Sequence, residues 1–266
     1  MLRKLLKYDL KWINNKVTII YFIVMFVLAI ITAIVEKIQS PITMLVIIDK
    51  ILSTLMISCA VSIAITVLMR IWARFKISIY NDASYLTHTL PVSKNQIYNS
   101  KILAGIIVIL EAFIVIAAAF LIVILAVSGT DFIKDLYKSI SDIFGNAMTY
   151  LLIISTILLV YLEVLFMTFS GILGMILAHR SNSNKTLKTI IYGIIIYTVL
   201  AVLVFVFLYV LSLSNTDLKQ LYTVGALPEP EAFKELLFYA VLLYIVFDLV
   251  LYFLAKKIFN KGVNVD

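Results

Sequence analysis

Among the acidic side chains within the long apolar runs of this sequence are Glu111, Glu163 and Asp248. A carboxylate at the centre of a bilayer costs roughly 2.5 kcal/mol or more unless it is protonated, paired or hydrated, so each should face protein or water. No Lys or Arg lies deep in the same runs to pair with them. On a helix, Asp248 shares a face with Tyr244 and Tyr252, one turn to either side, and with Lys256 one turn further. Glu163 aligns with Thr156, Ser170 and Gly174, and the hydroxyls of Thr54, Ser58, Ser62 and Thr66 recur at steps of four. Two roles fit these groups. They can serve interhelical packing by small and hydroxyl residues, or they can line a partly polar path or gate through the membrane.

Other chemistry is missing. There is no G-x-x-x-x-G-K-[ST] phosphate loop, no H-E-x-x-H and no G-x-S-x-G, so neither ATP binding nor a familiar hydrolytic site is expected in this chain. His88 and His179 are far apart in sequence and fall at the cytoplasmic boundary, where solvated surface positions are expected rather than a metal site. The single cysteine, Cys59, allows no intrachain disulfide and no cysteine-rich metal site. No cofactor is expected, and no enzyme acting alone.

The elements that must position the acids are membrane spans. Of the 266 residues, 63% are hydrophobic and 14% charged, whereas a soluble domain is about half apolar and a quarter charged. A span needs roughly 20 apolar residues, and six runs qualify: 17–35, 42–72, 102–127, 147–178, 189–213 and 236–255. Lipid leaves helices as the choice, because backbone polar groups must be satisfied internally. The expected fold is therefore an all-α membrane protein, one transmembrane domain over 1–266 with six transmembrane helices. The first run exceeds a typical signal core and no small-residue cleavage site follows it, so it is expected to remain as the first span. The second and fourth runs are long enough to tilt or project beyond the hydrocarbon.

Orientation follows from the basic residues. Arg3, Lys4, Lys7, Lys11, Lys16, Arg70, Arg74, Lys76, Lys94, Lys101, Arg180, Lys185, Lys188, Lys256, Lys257 and Lys261 fall on one side. Only Lys37, Lys50, Lys134, Lys138, Lys219 and Lys234 fall on the other. The positive-inside bias places both termini in the cytoplasm. The net charge of +7 thus reflects membrane placement and gives no reason to invoke nucleic acid.

Two cytoplasmic segments carry more pattern. In the first, Leu2, Leu5, Leu6, Leu10 and Ile13 share one helical face opposite Arg3, Lys4, Lys7 and Lys11, which predicts an interfacial amphipathic helix held by apolar burial and anionic lipid. Asp9 falls on the apolar side. It is either solvated at the edge of the stripe or meets a basic group on another cytoplasmic segment. In the second, Ala73 to Lys101, an Asn81-Asp82 cap predicts a short helix over 83–89, stopped by Pro91. Ser93 with Gln96 is a capping-box signature opening the helix of the third span.

The stretch Asp82-x-x-Tyr85-Leu86-x-x-Thr89-Leu90-Pro91-Val92-Ser93, with Gln96-Ile97 and Ser100-Lys101, resembles the cytoplasmic loop of permease subunits of ATP-binding-cassette exporters. The likeness is to the type-2 exporter permeases of low-GC Gram-positive bacteria. The opening Lys4-Leu5-Leu6-Lys7-Tyr8-Asp9-Leu10-Lys11 is similar too, although such openings more often carry glutamate where Asp9 stands. The resemblance implies an ATPase-coupling helix over Asp82, Tyr85, Leu86, His88, Thr89, Leu90 and Pro91, with Tyr85, Leu86, His88 and Thr89 as contact residues. It also implies a separate ATPase subunit, a second permease subunit, and a short amphipathic or re-entrant segment within 215–235. A proton- or cation-coupled carrier using the intramembrane acids, and a non-transporting sensor or scaffold, are the alternatives.

Overall fold

A computed structural model describes residues 1–38, 43–81, 83–144, 146–181, 184–214 and 230–262. All regular secondary structure among them is helical: α1 (Leu2–Ile13), α2 (Lys16–Ile38), α3 (Thr43–Ile79), α4 (Ser84–Thr89), α5 (Lys94–Ser128), α6 (Asp131–Phe144), α7 (Asn146–Ala178), α8 (Lys185–Ser214) and α9 (Pro230–Asn260). Six of these, α2, α3, α5, α7, α8 and α9, are long and apolar enough to cross a membrane. Their outward side chains are apolar: Ile20, Ile57, Ile114, Ile154, Phe205 and Phe253 are each more than half exposed. In water such a surface would aggregate, whereas in hydrocarbon it is matched. The protein is a multi-pass helical membrane protein.

The helices extend the sequence-derived runs mainly at polar ends. α3 continues past Trp72 to Ile79, because Arg70, Arg74 and Lys76 are good helix formers that need not end a helix on leaving lipid. At about 1.5 Å per residue its 37 residues reach about 55 Å, well beyond the roughly 30 Å of hydrocarbon. The short loop helix is α4, and its start corrects the expected cap. Ala83 occupies the N-cap without a side-chain bond, and Asn81 contributes its backbone carbonyl to the Ser84 N–H at 2.7 Å. Asp82 lies outside the described residues. Half of the capping box at α5 forms, with the Gln96 N–H reaching Ser93 Oγ at a long 3.4 Å.

Helix α6 was not anticipated. Asp131 lies in its first turn and pairs with Lys134 at 3.1 Å, and Ile133, Leu136 and Ile140 recur at helical spacing. That is the pattern of an interfacial helix. The segment considered for a re-entrant hairpin falls largely on 215–229, outside the described residues. α9 opens at Pro230, where the missing N–H costs no intrahelical bond.

The described residues form two compact units: Met1–Phe75 with Asn99–Tyr137, and Lys76–Tyr98 with Lys138–Asp266. In the first, Met25, Ala29, Ile63, Phe75, Ala104 and Val108 are buried. In the second, α7 packs against both α8 and α9 around Phe166, Ile172 and Leu251. The α7–α8 crossing is close. A Cβ at Gly174 would lie 2.7 Å from the Gly193 Cα and 3.0 Å from the Tyr192 carbonyl carbon, so only glycine fits. This is the packing by small residues expected of membrane helices.

Candidate functional site

In the second unit, α4 is anchored on one side and open on the other. Ser84 is buried. Directly before the helix, Tyr80 stacks on His179 with ring centroids 3.8 Å apart. The outer side presents Tyr85 and Leu86, 75% and 68% exposed, with Thr89 and Leu90 also exposed. The Thr89 hydroxyl donates to the Leu86 carbonyl at 3.1 Å. The side chain of His88 lies outside the described residues, and Pro91 ends the segment in an exposed position.

His179 corrects the expectation of a solvated surface histidine. It is 5% exposed, and its Nδ1 lies 2.8 Å from the Met175 carbonyl. Burial lowers its pKa below the ordinary imidazole value, and Lys185 and Lys76 push the same way against that carbonyl contact. Burial also raises the Tyr80 phenol, partly offset by Arg180. The local signal for burial was thin, since it rests on Tyr80, a hundred residues earlier in the chain.

Deeper in the same unit, three helices converge on carboxyl groups. Glu163 on α7 accepts a hydrogen bond from the Tyr197 hydroxyl of α8 at 2.7 Å, and the Tyr244 hydroxyl of α9 also reaches Glu163. Phe166 packs between them, its ring centroid 5.5 Å from both Tyr197 and Tyr244. Asp248, one turn beyond Tyr244, is 6% exposed, and neither of its oxygens has a hydrogen-bond partner among the described residues. Glu163 and Tyr161 are its electrostatic neighbours. Sequence reasoning found Glu163, Asp248 and Tyr244. It missed Tyr197 and Tyr161, because tyrosines among apolar residues read as core until a carboxylate is seen beside them.

The remaining candidates go elsewhere. The backbone carbonyl of Tyr252 accepts from the Tyr98 hydroxyl at 3.2 Å, and its ring lies 5.5 Å below the Lys256 ammonium. In the first unit, Glu111 accepts from the Asn14 side chain at the α1–α2 elbow. Thr54 and Ser58 are exposed and Ser62 and Thr66 half-buried. Thr54 donates to the Lys50 carbonyl and Ser62 to the Ser58 carbonyl, each at 2.8 Å, so these two hydroxyls are satisfied within their own helix. Among the described residues, no group of three or more His, Cys, Asp or Glu could hold a metal ion.

Asp9 takes the second of its two readings. It is 1% exposed and bound by Arg74 Nε at 2.7 Å, Lys101 Nζ at 3.1 Å and the Ser100 hydroxyl at 3.0 Å. The clasp fastens α1 to α3 and α5 within the first unit.

Comparison with models of known protein families, with curated proteins and with solved structures finds no match.

Proposed function

We propose that this membrane-spanning helical protein is the permease subunit of an ATP-driven exporter of the type-2 kind that its loop resembles. It would lie in the cell membrane with both termini in the cytoplasm, and work with a second permease subunit and a separate ATPase subunit that hydrolyses the ATP. The observation that carries this reading is the pair Tyr85 and Leu86, held outward on a helix whose opposite side is anchored. Exposed neighbouring aromatic and aliphatic anchors suit a partner's groove. The short links 80–83 and 90–93 join α4 to α3 and α5, so a displacement of α4 by a closing ATPase passes to two spans.

The test is Tyr85→Ala with Leu86→Ala. Burying such side chains is worth about 1.5–3 kcal/mol each, so the variant should insert normally while losing the ATPase in detergent pull-downs and losing substrate-stimulated ATP hydrolysis. Normal association and turnover would remove α4 as the contact. If no ATPase accompanies the unmodified protein in mild detergents, the exporter reading fails.

A proton- or cation-coupled carrier is the second reading, supported by the unpartnered Asp248 carboxyl beside Glu163. It requires transport in ATP-free vesicles driven by an ion gradient and lost in Asp248→Asn.

A further inference from the structure

The turn from α1 into α2 is tightly made. Asn15 Oδ1 accepts from the Val17 and Thr18 N–H groups at 3.0 and 3.3 Å, and the Thr18 hydroxyl donates to the Ile13 carbonyl at 2.9 Å. Beside this elbow lies a pocket of about 480 Å3, lined by Tyr8, Lys11, Trp12, Asn15 and Arg74. Its charge is basic. The guanidinium carbons of Arg70 and Arg74 stand 5.9 and 5.5 Å from the centroid of the same Trp12 ring. Two acids lie by the elbow: Asp9 is already shared by Arg74 and Lys101, and Glu111 accepts from the Asn14 side chain, and neither lines the pocket. Lys11 and Arg70 make no ion pair among the described residues.

Two features narrow the occupant. Guanidinium groups with a nearby ammonium match a phosphate, which guanidinium binds through paired N–H donors. The pocket also sits where a span begins, since Asn15 directly precedes α2. Trp and Tyr concentrate at that depth, beside lipid headgroups. We propose that this pocket binds the phosphate headgroup of an anionic phospholipid, which holds the α1–α2 elbow against the membrane face. The proposal does not depend on the exporter reading.

Trp12 is one of two tryptophans, so Trp72→Phe makes it the sole reporter in the full-length protein. In phosphatidylcholine nanodiscs, phosphatidylglycerol brominated on its acyl chains should quench Trp12 several-fold more effectively than brominated phosphatidylcholine at the same mole fraction. Lys11→Gln with Arg70→Gln should reduce that preference by roughly fivefold per charge removed. Arg3→Gln with Lys7→Gln removes the same charge from α1 away from the pocket lining and should leave the preference in place. Equal quenching by the two lipids in the parent, or equal loss in both double variants, would overturn the site and leave only general surface attraction. Displacement of the brominated lipid by soluble glycerol phosphate would overturn the lipid assignment in favour of a water-borne phosphate. Retained quenching in the presence of glycerol phosphate supports it.

Discussion

Buried ionisable groups set the residue scale. Removing Asp9 leaves Lys101, 6% exposed, without its counter-charge. Loss of one partner from a buried pair costs about 3–5 kcal/mol. Asp9→Ala should therefore lower the thermal midpoint of the purified protein clearly, and Lys101→Met in the same chain should recover part of the loss. A fully additive double variant would deny the coupling. His179 gives a pH dependence. Its folded pKa lies below the unfolded value of about 6.5, so the unfolded chain takes up the proton first. Its contribution is complete above about pH 6.5 and declines as pH falls through that value, until folded His179 is itself protonated. His179→Phe keeps a ring against Tyr80 and should flatten this acid-side loss in melting curves relative to the parent. The need for Asp9 to find a base was visible in the sequence as an acid on an apolar stripe. Which bases answer it was not, because Arg74 and Lys101 lie 65 and 92 positions away.

At the scale of elements, the glycines at the α7–α8 crossing make an asymmetric prediction. A Cβ on Gly174 meets the Gly193 backbone, which cannot rotate away, whereas a Cβ on Gly193 meets Gly171 Cα at an ordinary 3.5 Å. Gly174→Ala should cost about 1–3 kcal/mol by overpacking, and Gly193→Ala should be nearly neutral. Equal effects in thermal unfolding would mean that the helices cross elsewhere. The six spans were legible from apolar length, since a continuous apolar run of that length satisfies its own backbone in lipid as a helix. The helix ends were less so. α3 runs on through Arg74 and Lys76 to Ile79, because a membrane boundary stops hydrophobicity without stopping a helix. α6 escaped notice because its apolar residues are split by Lys134, Asp135 and Lys138, which lower the mean hydropathy but leave the helical spacing intact.

For the whole molecule, the bias of basic residues predicts the sidedness. In a Cys59→Ser background, a cysteine at Ser93 should resist impermeant thiol reagents in intact cells, and one at Lys138 should react. The reverse pattern would invert the topology. What the sequence conveyed least was the polar interior of the second unit. Glu163, Tyr197 and Tyr244 belong to three different helices, and no spacing within one segment reveals that they meet.

The Asp9 clasp also orders events in time. Its second cation, Lys101, is 92 residues further along the chain, and at about 5–20 residues per second a ribosome needs roughly 5–18 s to reach it. Until Lys101 has been made, the clasp cannot close in full. For that time the apolar face of α1 lacks the partners that later bury it, and a lipid surface is the kind of place that suits such a helix.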